Sequence, residues 1–158
     1  MGHYRFVSSW MLETDLKTLW QLIDNFEQAD CWQNCTFCKI KEGDSGNGVG
    51  DMYLSMFRAN WIYRLSFITT VTRKYEPHLL ELEASGELEG RGVWSFQEQG
   101  NNTEICFVWE VRTTKRWMNI GAPLFRRAFK RSHDRIMQGG VQDICRHLGV
   151  RLLHSLSR

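Results

Sequence analysis

Little in the sequence would interrupt a folded body. Proline occurs only twice in 158 residues, and no run approaches the roughly 18 apolar residues that a membrane span needs. The opening MGHYRFVSSW lacks a basic stretch followed by an unbroken apolar one. No secretory signal is read from it, and a reducing, cytoplasmic setting is the expectation. An excess of one charge is also missing: 20 Lys and Arg against 18 Asp and Glu leave +2, too little to predict a nucleic-acid partner. Among the five cysteines, Cys35-Thr-Phe-Cys38 forms a C-x-x-C, but neither a second such pair nor an H-x-x-x-H exists to complete a zinc site. A redox pair would want the first cysteine at a helix N-terminus, whereas this segment reads as the start of a strand. The thiols are expected free and reduced, with no metal and no cofactor.

What is abundant is aromatic: 13% of the chain, with seven Trp and nine Phe, which favours a strand-rich body with a bulky interior. Hydrophobic residues at 42% and charged residues at 24% exclude disordered and low-complexity classes. The length suits one domain, placed at residues 1–150, with 151–158 as a C-terminal tail.

Periodicity orders the elements. Tyr4, Phe6, Ser8, Trp10 and Leu12 alternate with smaller or polar neighbours, a strand with its aromatic face on even positions. Thr14 or Asp15 can cap a helix whose Leu16, Leu19, Trp20 and Ile23 share one face. A second short helix or turn is read within residues 24–34. A period of two then holds for some 80 residues, through the glycine-rich connection Gly43-Asp-Ser-Gly-Asn-Gly-Val-Gly50, which lacks the Gly-Lys-Ser/Thr ending of a phosphate cradle. Trp61, Tyr63, Leu65, Phe67 and Val71 share one strand face, and Leu80, Leu82 and Ala84 another. Gly90 and Gly92 are read as a turn leading into Trp94 and Phe96. After the Gly100-Asn-Asn hairpin come Ile105, Phe107, Trp109 and Val111. From about Ala122 to Leu148 the spacing is that of one long helix, with Phe125, Phe129, Ile136, Gly140, Ile144 and Leu148 on a broad face shared by Arg126 and His133. These elements predict an α+β fold, a curved seven-stranded antiparallel sheet wrapped around the C-terminal helix, with two short helices after strand one.

This order and several local strings resemble the START-like, birch-allergen-like superfamily (SRPBCC), within it the polyketide cyclase or dehydrase group. The strings are Ala84-Ser-Gly-Glu-Leu-Glu-Gly90, Gly92-Val-Trp-Ser-Phe96, Thr103-Glu-Ile-Cys-Phe-Val-Trp-Glu-Val111, Thr114-Lys-Arg-Trp-Met-Asn119 and Ala122-Pro-Leu124. They continue through Phe129 and His133-Asp134 to Met137, and Leu19-Trp20 with Trp32 fits as well. The resemblance implies the helix-grip fold and a large cavity for hydrophobic small molecules; it implies no particular reaction. Close relatives would read Arg-Pro-x-Phe-x-Trp-Asn-His-Asp where this chain has Arg126-Arg-Ala-Phe-Lys-Arg-Ser-His-Asp134. Arg127, Arg131 and Ser132 depart from that pattern.

The expected ligand-binding set is Tyr63, Phe67, Trp94, Phe107, Trp109, Arg126, Phe129, His133 and Met137, around a pocket on the order of a few hundred cubic ångströms. His133 reads either as a satisfied core histidine or as a ligand contact, and no catalytic residue is assigned, His133, Arg126 and Tyr63 being the candidates. Arg126 either snorkels outward or meets a carboxylate. The outward cations Arg127, Lys130, Arg131 and Arg135 read as a solvated face, or as a transient contact with an acidic membrane surface or protein. Three functions follow as expectations: binding or transfer of a hydrophobic lipid, polyketide or aromatic compound; an aromatase/cyclase-type enzyme; and an interaction module using the basic helix face.

Overall fold

In the computed structural model, residues 2–29, 31–58, 64–116 and 122–158 are described. Alternation makes β1 (His3–Leu12), whose even side chains Tyr4, Phe6, Ser8, Trp10 and Leu12 are all buried. The Asp15 carboxylate then accepts from the Thr18 N–H at 2.8 Å and starts α1 (Leu16–Asp24). This satisfies one of the donors that a helix start leaves open. A single short turn, α2 (Phe26–Ala29), follows.

The sheet is built by successive hairpins: β2 (Cys35–Lys41), β3 (Met52–Arg58), β4 (Arg64–Tyr75), β5 (Leu79–Gly86), β6 (Leu88–Gln99) and β7 (Asn102–Thr113). The order β2-β3-β4-β5-β6-β7-β1-β8 is antiparallel throughout. β1 therefore pairs with β7, with Phe6 opposite Trp109 and Trp10 opposite Ile105. The long helix α3 (Ala122–Leu148) has the bounds that its periodicity predicts. It ends where Gly149 takes the left-handed conformation (φ 68°) that glycine tolerates at a helix C-terminus.

Two expectations change. The sheet has eight strands, because residues beyond 150 are no free tail: β8 (Leu152–Ser157) pairs with the outer edge of β1. Its attachment is by backbone and hydroxyls, with Ser155 Oγ donating to Gln138 and Ser157 Oγ to Asp134 on α3. Gly90 and Gly92 do not turn the chain; both lie inside β6. A Cβ at Gly92 would come within 2.7 Å of the Trp109 ring, and one at Gly90 would overlap the Glu110 carbonyl. These positions need close approach rather than a bend. Trp61 and Tyr63 lie outside the described residues.

Candidate functional site

Strand alternation and helix periodicity aim apolar side chains at the same space from opposite sides, and they do not fill it. A cavity of about 580 Å³ lies between the concave sheet face and α3, within the range of small-molecule sites. The expected residues Phe67, Trp94, Phe107, Trp109, Phe129, His133 and Met137 all line it. On the sheet, Trp94 stacks on Phe107 with centroids 4.1 Å apart, and Phe57 lies parallel to Phe67 at 5.2 Å. Locking rings against one another keeps the walls apart and lets aromatic area face the interior.

Helix α3 approaches through a small residue. A Cβ on Gly140 would overlap the Trp32 indole, whose Nε1 donates to the Ile136 carbonyl at 3.1 Å. Trp32 is thereby wedged between α3 and the sheet, edge-on to Trp94 at 6.1 Å. Asp143, also buried, accepts from the Gln33 N–H at 2.9 Å and fixes the adjoining chain.

His133 is the polar group of the roof. Its side chain is only 10% exposed, and its ring lies flat on Phe6, centroids 4.1 Å apart. Neither ring nitrogen has a hydrogen-bond partner among the described residues. Asp134 Oδ1 is 3.6 Å from Nδ1, beyond hydrogen-bonding reach. Burial pulls the imidazole down to about 4, and the neighbouring Asp134 carboxylate offsets only part of that effect. At neutral pH the ring is uncharged, with one N–H donor and one acceptor nitrogen.

Arg126 is corrected. It does not line the cavity: exposed at the helix start, it donates from Nη2 to the His3 carbonyl at 3.1 Å and sits over the Tyr4 ring. Of the two expected courses, outward snorkelling or a carboxylate partner, it takes the first, since an unpaired guanidinium inside would lose its hydration. Tyr63, the remaining candidate, lies outside the described residues. Arg127, Arg131 and Arg135 are exposed, while Lys130 pairs with Asp134 at 3.0 Å.

Charged and exposed lining residues gather at the end formed by α1, the β2–β3 connection and the end of β4, which is the mouth. Asp51 organises it. Its buried carboxylate accepts from the Gly43 N–H at 2.8 Å, from Lys39 Nζ at 2.9 Å and from the Tyr53 hydroxyl at 3.3 Å. Burial pushes this carboxyl up, but the Gly43 N–H and the Lys39 ammonium outweigh it, and it stays below its ordinary value. Lys74 pairs with Asp24 across the opening, its ammonium 5.9 Å from the Trp20 ring centroid. The sequence reading overlooked Lys39, Asp51, Lys74 and the buried Ser132 as lining residues. The isolated Phe26 and Trp32 in an otherwise polar segment were the legible signal, and both face the cavity.

Cys35 and Cys38 are three residues apart on β2 and so lie on opposite faces of the strand. Burial pushes the Cys35 thiol far up, leaving it a poor nucleophile.

No protein-family model and no curated protein sequence matches this chain. Solved structures do match in shape. A conserved protein from Geobacillus kaustophilus aligns with 96% of this chain and 100% of its own, at 14% identity and a TM-score of 0.71. Ara h 8.0201 aligns over 94% of this chain and 99% of its own, at 10% identity and a TM-score of 0.64. The chain has the helix-grip fold. The di-domain ARO/CYC protein BexL, from the BE-7585A biosynthetic pathway, aligns over 92% of this chain and half of its own length, at 12% identity and a TM-score of 0.68. Among the described residues, no helix of this helix-grip protein is long and apolar enough to cross a membrane.

Proposed function

We propose that this protein binds or transfers a hydrophobic small molecule of the lipid, polyketide or aromatic kind held between sheet and α3. The observation that carries this reading is the pairing of an aromatic cavity of about 580 Å³ with a neutral imidazole whose nitrogens make no hydrogen bond to a described residue. Removing apolar ligand surface from water supplies affinity at about 25 cal/mol per Å². A single placed polar group then fixes the pose. His133 is that group in this reading: an oxygen brought against it would end the cost of a buried unsatisfied nitrogen, about 1–3 kcal/mol.

A second reading, an aromatase/cyclase-type enzyme on a polyketide-like substrate, is favoured by the likeness to BexL, whose name is that of an ARO/CYC protein. Against it stands the chemistry of His133. An imidazole titrating at about 4 is a weak base at neutral pH and carries no proton to give as an acid, so it is poorly matched to general acid–base work. A carrier needs only its hydrogen bond.

Native mass spectrometry of the gently purified protein tests the binding reading. The expected result is a one-to-one adduct of a few hundred daltons that disappears on denaturation in organic solvent. An empty protein that also takes up nothing from a panel of apolar aromatic compounds would overturn it.

A further inference from the structure

His133 is not alone in the cavity wall. The indole Nε1 of Trp20 is likewise buried without a partner among the described residues, and Trp20, only 3% exposed, also lines the cavity. The remaining buried group without a described partner, Ser8 Oγ, does not line the cavity, while Trp32 Nε1 donates to Ile136 and Ser55 Oγ and Thr69 Oγ1 bond to each other at 3.0 Å. Two lining residues with unmet hydrogen-bonding nitrogens in one apolar chamber are unusual, because buried N–H groups are nearly always paired.

Their placement is set by the sheet. Trp20 stands edge-on to Phe96, which pairs with Ile105 on β7; His133 lies on Phe6, which pairs with Trp109 on the same strand. Those two levels are four residues apart along β7, about 13 Å at the rise of an extended strand. Trp20 projects from α1 near the Lys74–Asp24 mouth, whereas His133 hangs from α3 at the far level. Their chemistry differs too. An indole nitrogen only donates; a neutral imidazole donates and accepts.

We infer that the cavity recognises its ligand at two points: an elongated apolar body carrying an acceptor oxygen toward Trp20 near the mouth and a second oxygen, on the order of 10 Å away, toward His133. Hydroxyl, carbonyl and ether oxygens satisfy the Trp20 end, and a hydroxyl, which both donates and accepts, suits either nitrogen at the His133 end. A plain hydrocarbon leaves both rings unmet. The Trp20 nitrogen and both His133 nitrogens are closed off in the empty protein, so two-point binding requires each ring to turn to meet its oxygen. This rests on the binding reading above and narrows it to rod-like molecules oxygenated at both ends.

The test uses equilibrium dialysis of the full chain against stilbene, 4-hydroxystilbene and 4,4'-dihydroxystilbene, a ladder of equal shape with none, one and two terminal oxygens. Each added hydroxyl is expected to tighten binding about fivefold, the worth of a typical hydrogen bond. Trp20→Phe and His133→Phe keep an aromatic ring and remove the nitrogens, the first with a smaller ring and the second with a larger one. Each is expected to remove one of the two fivefold steps of the ladder, read as affinity ratios among the three compounds on the same variant. If Trp20→Phe does not fold, the ladder on the wild-type protein decides by itself. Equal affinity for all three compounds, or variants that weaken all three alike, would overturn the two-point inference and leave the cavity reading standing. Binding of none of them would remove the cavity reading, and the inference with it.

Discussion

The His133 imidazole lies on the Phe6 ring with centroids 4.1 Å apart and planes 14° from parallel, tying the middle of α3 to the first strand. The contact is apolar on both sides. It holds a titratable ring where only its uncharged form is at ease, and this gives the fold a definite response to acid.

The response has a sign. Burial lowers His133 in the folded protein to about 4, against 6.5 when it is free, so between those values the unfolded chain binds more protons. Stability is complete above pH 6.5 and falls as pH drops toward 4, by about 3 kcal/mol in all. Urea titrations at pH 7.0, 5.5 and 4.5 should show that loss, and His133→Phe should remove most of it. The neighbouring Asp134 carboxylate and the Asp51 carboxylate at the mouth, both held below their ordinary values, contribute only toward the acid end of the window.

Adjacent glycines on α3 make a matched pair. Gly140→Ala puts a methyl group into the Trp32 indole and should cost about 1–3 kcal/mol by overpacking. Gly139, where a Cβ would meet nothing within 4 Å, should accept alanine with a gain of up to about 1 kcal/mol from helix propensity. Thermal melts of the two variants should therefore move in opposite directions. Equal shifts would mean that Trp32 is not wedged as described.

Deleting residues 151–158 should be costly for so short and exposed a segment. β8 covers the edge of β1 and bonds to Gln138 and Asp134, and Arg151 forks onto Glu13 at 2.6 and 2.9 Å. The truncated chain should melt lower and associate more readily, because a bare strand edge invites pairing with another chain. Sedimentation and a melting curve together check this, and an unchanged melting temperature would contradict it.

What could be read in advance depended on side-chain period. β1 and α3 are legible because their burial follows spacings of two and of 3.6 residues, and the Asp15 cap because its carboxylate chemistry is local. β8 was not, since all but the first of its six residues are exposed and backbone pairing rather than burial makes it a strand. The mouth was hidden for a different reason: Lys39 and Asp51 meet only through the register of the β2–β3 hairpin, with Lys39 opposite Tyr53. Arg126 was legible only as a choice between snorkelling outward and meeting a carboxylate, and its inclusion among the ligand contacts fails because it takes the outward course. Trp20 is visible in the sequence as part of a helix stripe, but its unmet nitrogen is a property of the packed interior alone.

The central claim, that the space under α3 takes an apolar ligand, is tested most directly by tryptophan fluorescence. Trp20, Trp32, Trp94 and Trp109 all line the cavity, so an entering molecule cannot avoid them. Titration with a panel of aromatic compounds should give a saturable one-to-one change in emission for at least one member, while the melting temperature rises with ligand concentration. A flat emission across the panel from a protein that remains folded would contradict the claim.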